Sequence, residues 1–192
     1  MASDASSGAI IRSRNSFRGA SHLLSVYVNN DKMHSIGNGY GERDQLIVDN
    51  SESCILYGVG GISKLTNDTV KKIGNGAFVH GRSISSINCS NLLSIGNYAF
   101  YGATVSSINM TNVSYIGYGS FYRGNGPKNV YSLSVKNILL HTFEKNDGIE
   151  NVDLPMVSSI NNTNVFMNST GLKNVHLSSV KHLPNQTFCN CS

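Results

Sequence analysis

The chain has 192 residues, 14% of them charged, with 3 Pro and no Trp. That length suits one domain with a core that needs no disulfide or metal. In place of the missing charge stand 28 Ser and 24 Asn, a composition that excludes a charge-driven disordered chain, a coiled coil and a conventional helical bundle. The net charge of +4 is too small and too scattered to mark a nucleic-acid partner.

In chain order, residues 1–21 read as a flexible N-terminal arm, rich in Ser and Ala, with Arg12, Arg14 and Arg18 spaced along it. No apolar run in this stretch is long enough for a secretory leader, and none anywhere is long enough for a membrane span. Without an export signal, the eight Asn-x-Ser/Thr triplets are not read as glycosylation sites. The four cysteines are then expected as reduced thiols packed like small hydrophobes. Residues 22–61 read as a degenerate capping coil followed by a β-hairpin, with Asp49 to Ser53 as the hairpin turn.

From residue 62 onward a repeat dominates. Ile84, Ile87, Cys89, Leu92, Ile95 and Phe100 step by 3, 2, 3, 3 and 5 residues, and Val105, Ile108, Met110, Val113, Ile116 and Phe121 step identically. Leu172, Val175, Leu177, Val180, Leu183 and Phe188 repeat the pattern, and Ile149 to Phe166 carries one extra residue. Ile62 to Phe78 fits with Asn67 in the third place. Val130, Leu133, Val135 and Ile138 read as a shortened copy before Phe143. About six copies result. Each opens as a short strand with alternate residues inward, turns a corner, and returns to the same core. Gly74, Gly96 and Gly117 follow the corner Ile, where positive φ is expected. The recurring Phe should stack from coil to coil, and stacked coils bury what one coil cannot.

These residues resemble the BspA-type leucine-rich repeat: Ile73-Gly-Asn-Gly-Ala-Phe78 and Ile95-Gly-Asn-Tyr-Ala-Phe100 match its I-G-x-x-A-F core. Leu46 to Gly58 resembles the strand-turn-strand that interrupts such arrays, so the likeness spans residues 46–192. The resemblance implies a mainly β, right-handed solenoid over 62–192, with a parallel concave sheet and short or irregular segments on the convex side. It also implies surface or adhesion roles and no shared active site. Two departures stand out: Pro155 is the one Pro at its place after the strand, and His141-Thr142-Phe143 lacks the I-G corner.

No sequence motif carries catalytic chemistry. The six His lack metal spacing, the Cys189-x-Cys191 pair has no second pair, and the Gly-rich stretches lack a phosphate-loop Lys. The expectation is therefore no enzyme activity, no metal and no cofactor. The repeat instead offers a concave face, expected from Ser86, Asn88, Ser107, Asn109, Ser132, Ser134, Asn151, Asp153, Asn174 and His176. Small neutral hydrogen-bonding groups suit a protein or glycan ligand better than DNA phosphates. A competing expectation is a structural subunit of a virion or surface layer. There, Arg12, Arg14 and Arg18, with Leu183 and Phe188 at an uncapped C-terminal end, would join copies into a homo-oligomer or larger assembly.

Overall fold

A computed structural model describes residues 33–36, 46–49, 51, 53–58, 62–80, 84–160 and 162–191. The arm with Arg12, Arg14 and Arg18, and most of the expected capping coil, lie outside the described residues.

Strands β1 (Met33–Ile36), β2 (Leu46–Asp49) and β3 (Cys54–Gly58) pair antiparallel in sequence. The Asp49 carboxylate holds the turn between β2 and β3, accepting from the Ser53 and Cys54 amides at 3.0 and 3.1 Å. Most later coils have a first strand and a second one after the corner. These are β4 (Lys64–Thr66) and β5 (Lys72–Ile73), then β6 (Ser86–Asn88) and β7 (Ser94–Ile95). The next coil retains β8 (Tyr115–Ile116) as its second strand, its first reduced to a parallel bridge between Ile108 and Ile87. Then come β9 (Asn129–Tyr131) with β10 (Asn137–Ile138), β11 (Asn151–Asp153) with β12 (Ser159–Ile160), and β13 (Asn174–His176).

All pairings between coils are parallel, as in β4–β6, β9–β11–β13 and β5–β7–β8. The result is a β-solenoid of about five turns, with no helix among the described residues. Strand β3 pairs parallel with β5, so the hairpin continues the second sheet.

The inward positions carry the core. Leu65, Val70, Ile73, Ile95, Val105, Val113, Val135, Ile149, Leu154 and Val157 are fully buried. Phe78, Phe100, Phe121, Phe143, Phe166 and Phe188 form one stack, with centroids 5.2–5.7 Å apart and ring planes within 12°. Each buried ring contributes on the order of 1.5–3 kcal/mol by removal from water. Cys89 fills a third inward place, and burial pushes its thiol pKa up to about 11, as expected for a cysteine packed as a hydrophobe.

Two sequence expectations change. Gly74, Gly96 and Gly117 do not have positive φ. They are glycine for want of room: a Cβ at Gly96 or Gly117 would sit 2.6 Å from the Asn75 or Asn97 of the preceding coil. The left-handed residues instead stand two before and two after each ladder Phe. Gly76, Tyr98, Gly119, His141, Asn164 and Gln186 fill the first set, and His80, Gly102, Arg123, Lys145, Asn168 and Asn190 the second. Every coil thus makes the same pair of tight bends around its ring.

The fourth coil is the other correction. Val130 aligns with Val152, not with Ile149. Counting back from there, Pro127, Val130, Ser132, Val135, Ile138 and Phe143 keep the steps 3, 2, 3, 3 and 5, and all six are buried. The copy is full length. Leu133, read from sequence as inward, is 53% exposed.

Candidate functional site

The first strands of successive coils place two outward columns side by side on one sheet of the solenoid, the face expected from sequence to be concave. Strand pairing aligns Lys64 with Ser86 and Thr66 with Asn88. Farther along, Asn129, Asn151 and Asn174 align, as do Tyr131, Asp153 and His176. The Ile87–Ile108 bridge sets Ser107 beside Ser86 and Asn109 beside Asn88. A bond from the Lys128 amide to the Ser106 carbonyl (3.4 Å) brings β9 alongside.

Eight of the ten expected face residues therefore lie on these columns: Ser86, Asn88, Ser107, Asn109, Asn151, Asp153, Asn174 and His176. Ser132 does not. It is fully buried in a third inward place, its hydroxyl donating to the Val113 carbonyl at 2.6 Å. Ser134 lies past the strand at the corner, its amide donating to Ser132 Oγ at 3.0 Å. The true outward residues of that coil are Asn129 and Tyr131, and Tyr131 is 42% exposed. The signal was present in the spacing, but finding it required accepting Pro127 and Ser132 at apolar positions.

The face is laced along the solenoid axis. Asn151 Nδ2 donates to Asn129 Oδ1 at 2.7 Å, and Asn174 Nδ2 to Asn151 Oδ1 at 2.8 Å. Asn109 Nδ2 reaches Asn88 Oδ1 at 3.4 Å. His176 Nδ1 and Asp153 Oδ1 are 2.8 Å apart. One position before the columns, Glu150 bridges Lys128 at 3.1 Å and Lys173 at 2.9 Å. Hydrogen bonds from Lys173 and then Lys128 hold the Glu150 carboxyl below its usual pKa. Asn151 spends one donor and one acceptor on its two neighbours, and each ladder amide keeps further hydrogen-bonding capacity for a ligand.

Tyr131 differs from the rest of its column: a large amphipathic ring amid Asn, Thr, Asp and His. Leu133 and Met156, 53% and 49% exposed, stand at the corners beyond it. An exposed ring with apolar neighbours at the middle of a polar face has the make-up of an interface centre.

At the array's other expected contact, Leu183 is 55% exposed and Phe188 half-buried, stacked on Phe166. With Leu172, Lys173, Val175, Leu177, Val180 and Cys191 they line an open hollow of about 470 Å³. Among the described residues strand β13 pairs with β11 alone and is an edge strand there.

Among the described residues no group of three His, Cys, Asp or Glu is placed to hold a metal ion, and no helix is long and apolar enough to cross a membrane.

A search of curated proteins finds no match. Among solved structures, a leucine-rich repeat protein from Eubacterium ventriosum aligns with a TM-score of 0.74 at 19% identity, over 90% of this chain and 47% of that one. The chain thus spans about half the length of that protein, and the likeness at this identity is one of fold. The family model described as "BspA type Leucine rich repeat region" matches residues 71–192 in 6 copies. With coils, ladder and corners as described, the chain belongs to the BspA-type leucine-rich repeat family.

Proposed function

We propose that the chain is a non-catalytic binding module of the surface or adhesion type, taking a protein or glycan ligand on its concave face. The observation that carries this reading is the exposed Tyr131 at the middle of a polar face made by parallel first strands. A rigid ring supplies contact area at little entropic cost, and the surrounding Asn and Ser supply adaptable hydrogen bonds. Purified chain is applied to arrays of glycans and of purified surface proteins, beside the variants Tyr131→Ser and Asn109→Lys. The expected result is a defined set of bound ligands that both variants lose. Ligands retained in full by both variants would count against the concave face.

The hollow around Leu183 and Phe188 favours a second reading, an assembly subunit of a virion or surface layer docking through that end and the arginines of residues 1–21. Sedimentation velocity tests it. Concentration-dependent association that Leu183→Asp abolishes supports this reading, and a monomer at all concentrations opposes it.

A further inference from the structure

Outside the concave face, the bends around the Phe ladder carry a second set of rings. Tyr98 meets Tyr118 (centroids 4.9 Å), Tyr118 meets His141 (5.4 Å), His141 stacks on Tyr122 (5.4 Å), Tyr122 meets Tyr101 (5.5 Å), and Tyr101 returns to Tyr98 (6.0 Å). The five rings close a circuit across three coils, and His80 extends it by an edge contact to Tyr101 at 5.0 Å. All six are partly exposed. Glycine makes the room: a Cβ at Gly119 would lie 2.8 Å from the Tyr98 ring, so that ring lies on the backbone of the next coil.

The charge of the strip is one-sided. Arg123 is exposed, its guanidinium 5.2 Å from the Tyr122 ring centroid, and Lys145 follows it in the next coil. The one carboxylate in these bends of the four coils, Glu144, is buried and bonded to His141. No exposed aliphatic side chain joins the strip, since the exposed Leu93, Leu133, Met156 and Leu183 all lie outside it.

We propose that this strip binds an acidic polysaccharide, a uronate-containing chain laid along the solenoid axis across the coils of Tyr101, Tyr122 and His141. The C–H faces of sugar rings pack on aromatic rings, and their hydroxyls meet phenol oxygens. The sugar carboxylates fall to Arg123 and Lys145 in charge-assisted hydrogen bonds. Tyr101 and Tyr122 hold the same place in successive coils with centroids 5.5 Å apart, a step close to the advance of one sugar in an extended chain. Two cations are too few for a nucleic acid, whose affinity rests on many neutralised phosphates. This site is separate from the concave face, and the two readings stand or fall independently.

The test is calorimetric titration of the full chain with oligogalacturonate, with a cello-oligosaccharide as neutral counterpart and oligo(dT) as the nucleic-acid control. Oligogalacturonate is expected to bind more tightly than either. Replacing both Tyr101 and Tyr122 by Ala should weaken it about tenfold or more, the order of a stacked ring's contribution. Arg123→Gln leaves the rings in place and should erase most of the preference for the acidic chain, while Tyr131→Ser on the concave face should change nothing. Circular dichroism checks the folding of the Tyr variant; if it fails to fold, Arg123→Gln decides. Lack of oligogalacturonate binding, equal binding of the neutral sugar or of oligo(dT), or unchanged binding by folded strip variants overturns the proposal.

Discussion

Ser132 Oγ donates to the Val113 carbonyl of the preceding coil, 2.6 Å away, from a place that Met110 and Leu154 fill in the neighbouring coils. One hydroxyl thereby replaces an apolar knob, and it also accepts from the Ser134 amide at 3.0 Å. Ser132→Ala leaves both backbone groups without this partner. It should destabilise the chain by about 1–3 kcal/mol, read as a lower urea midpoint at unchanged slope.

The Phe ladder should show position dependence. Phe121→Ala removes a buried ring with a stacked neighbour on each side and should cost about 3–5 kcal/mol. Phe188 is half-buried and, among the described residues, stacks on the one ring of Phe166, so Phe188→Ala should cost clearly less. Urea unfolding of the two variants side by side measures the difference. Equal costs would mean that the last coil is covered in solution.

The paired left-handed bends predict opposite signs for glycine swaps. Gln186 is exposed at φ 63°, and Gln186→Gly relieves a conformation that L residues resist; a gain of about 0.5–1 kcal/mol is expected after the unfolded-state cost of glycine. Gly119→Ala meets both the φ of 56° and the Tyr98 ring and should destabilise. Thermal melts of both variants supply the check.

Acid should loosen the row of charges beside the concave face. The folded-state pKa of Glu150 lies below its ordinary value because Lys173 and Lys128 donate to the carboxylate. Its contribution is therefore present above the ordinary Glu range and lost as pH falls through the lowered pKa. The group is partly exposed and its lysine partners are exposed, so the effect is small and fades with salt. Melting temperature against pH should fall slightly less steeply for Glu150→Gln than for the wild type at low salt.

Sequence alone determined the solenoid, because burying one face of every coil forces apolar residues onto fixed steps, and those steps survive unchanged in four coils and with one added residue in a fifth. It also determined the Phe ladder, since one aromatic per coil at a constant place can only meet its counterparts above and below. Most of the concave columns followed for the same reason: residues between inward positions must point out. What sequence could not decide was the coil where the rule bends. Leu133 competes with Ser132 for an inward place on hydrophobicity, and wins if each residue is judged by itself. The fold decides otherwise, because parallel pairing with β11 fixes Val130 opposite Val152 and a neighbouring carbonyl satisfies the Ser132 hydroxyl. That one-coil shift brings Tyr131 onto the concave face. The ring circuit around Tyr122 was likewise invisible in sequence, for its members hold different places in different coils: Tyr98 and His141 before the Phe, Tyr101 and Tyr122 after it. Only the stacking of coils, with Gly119 opposite Tyr98 and Gly102 opposite His80, brings them together.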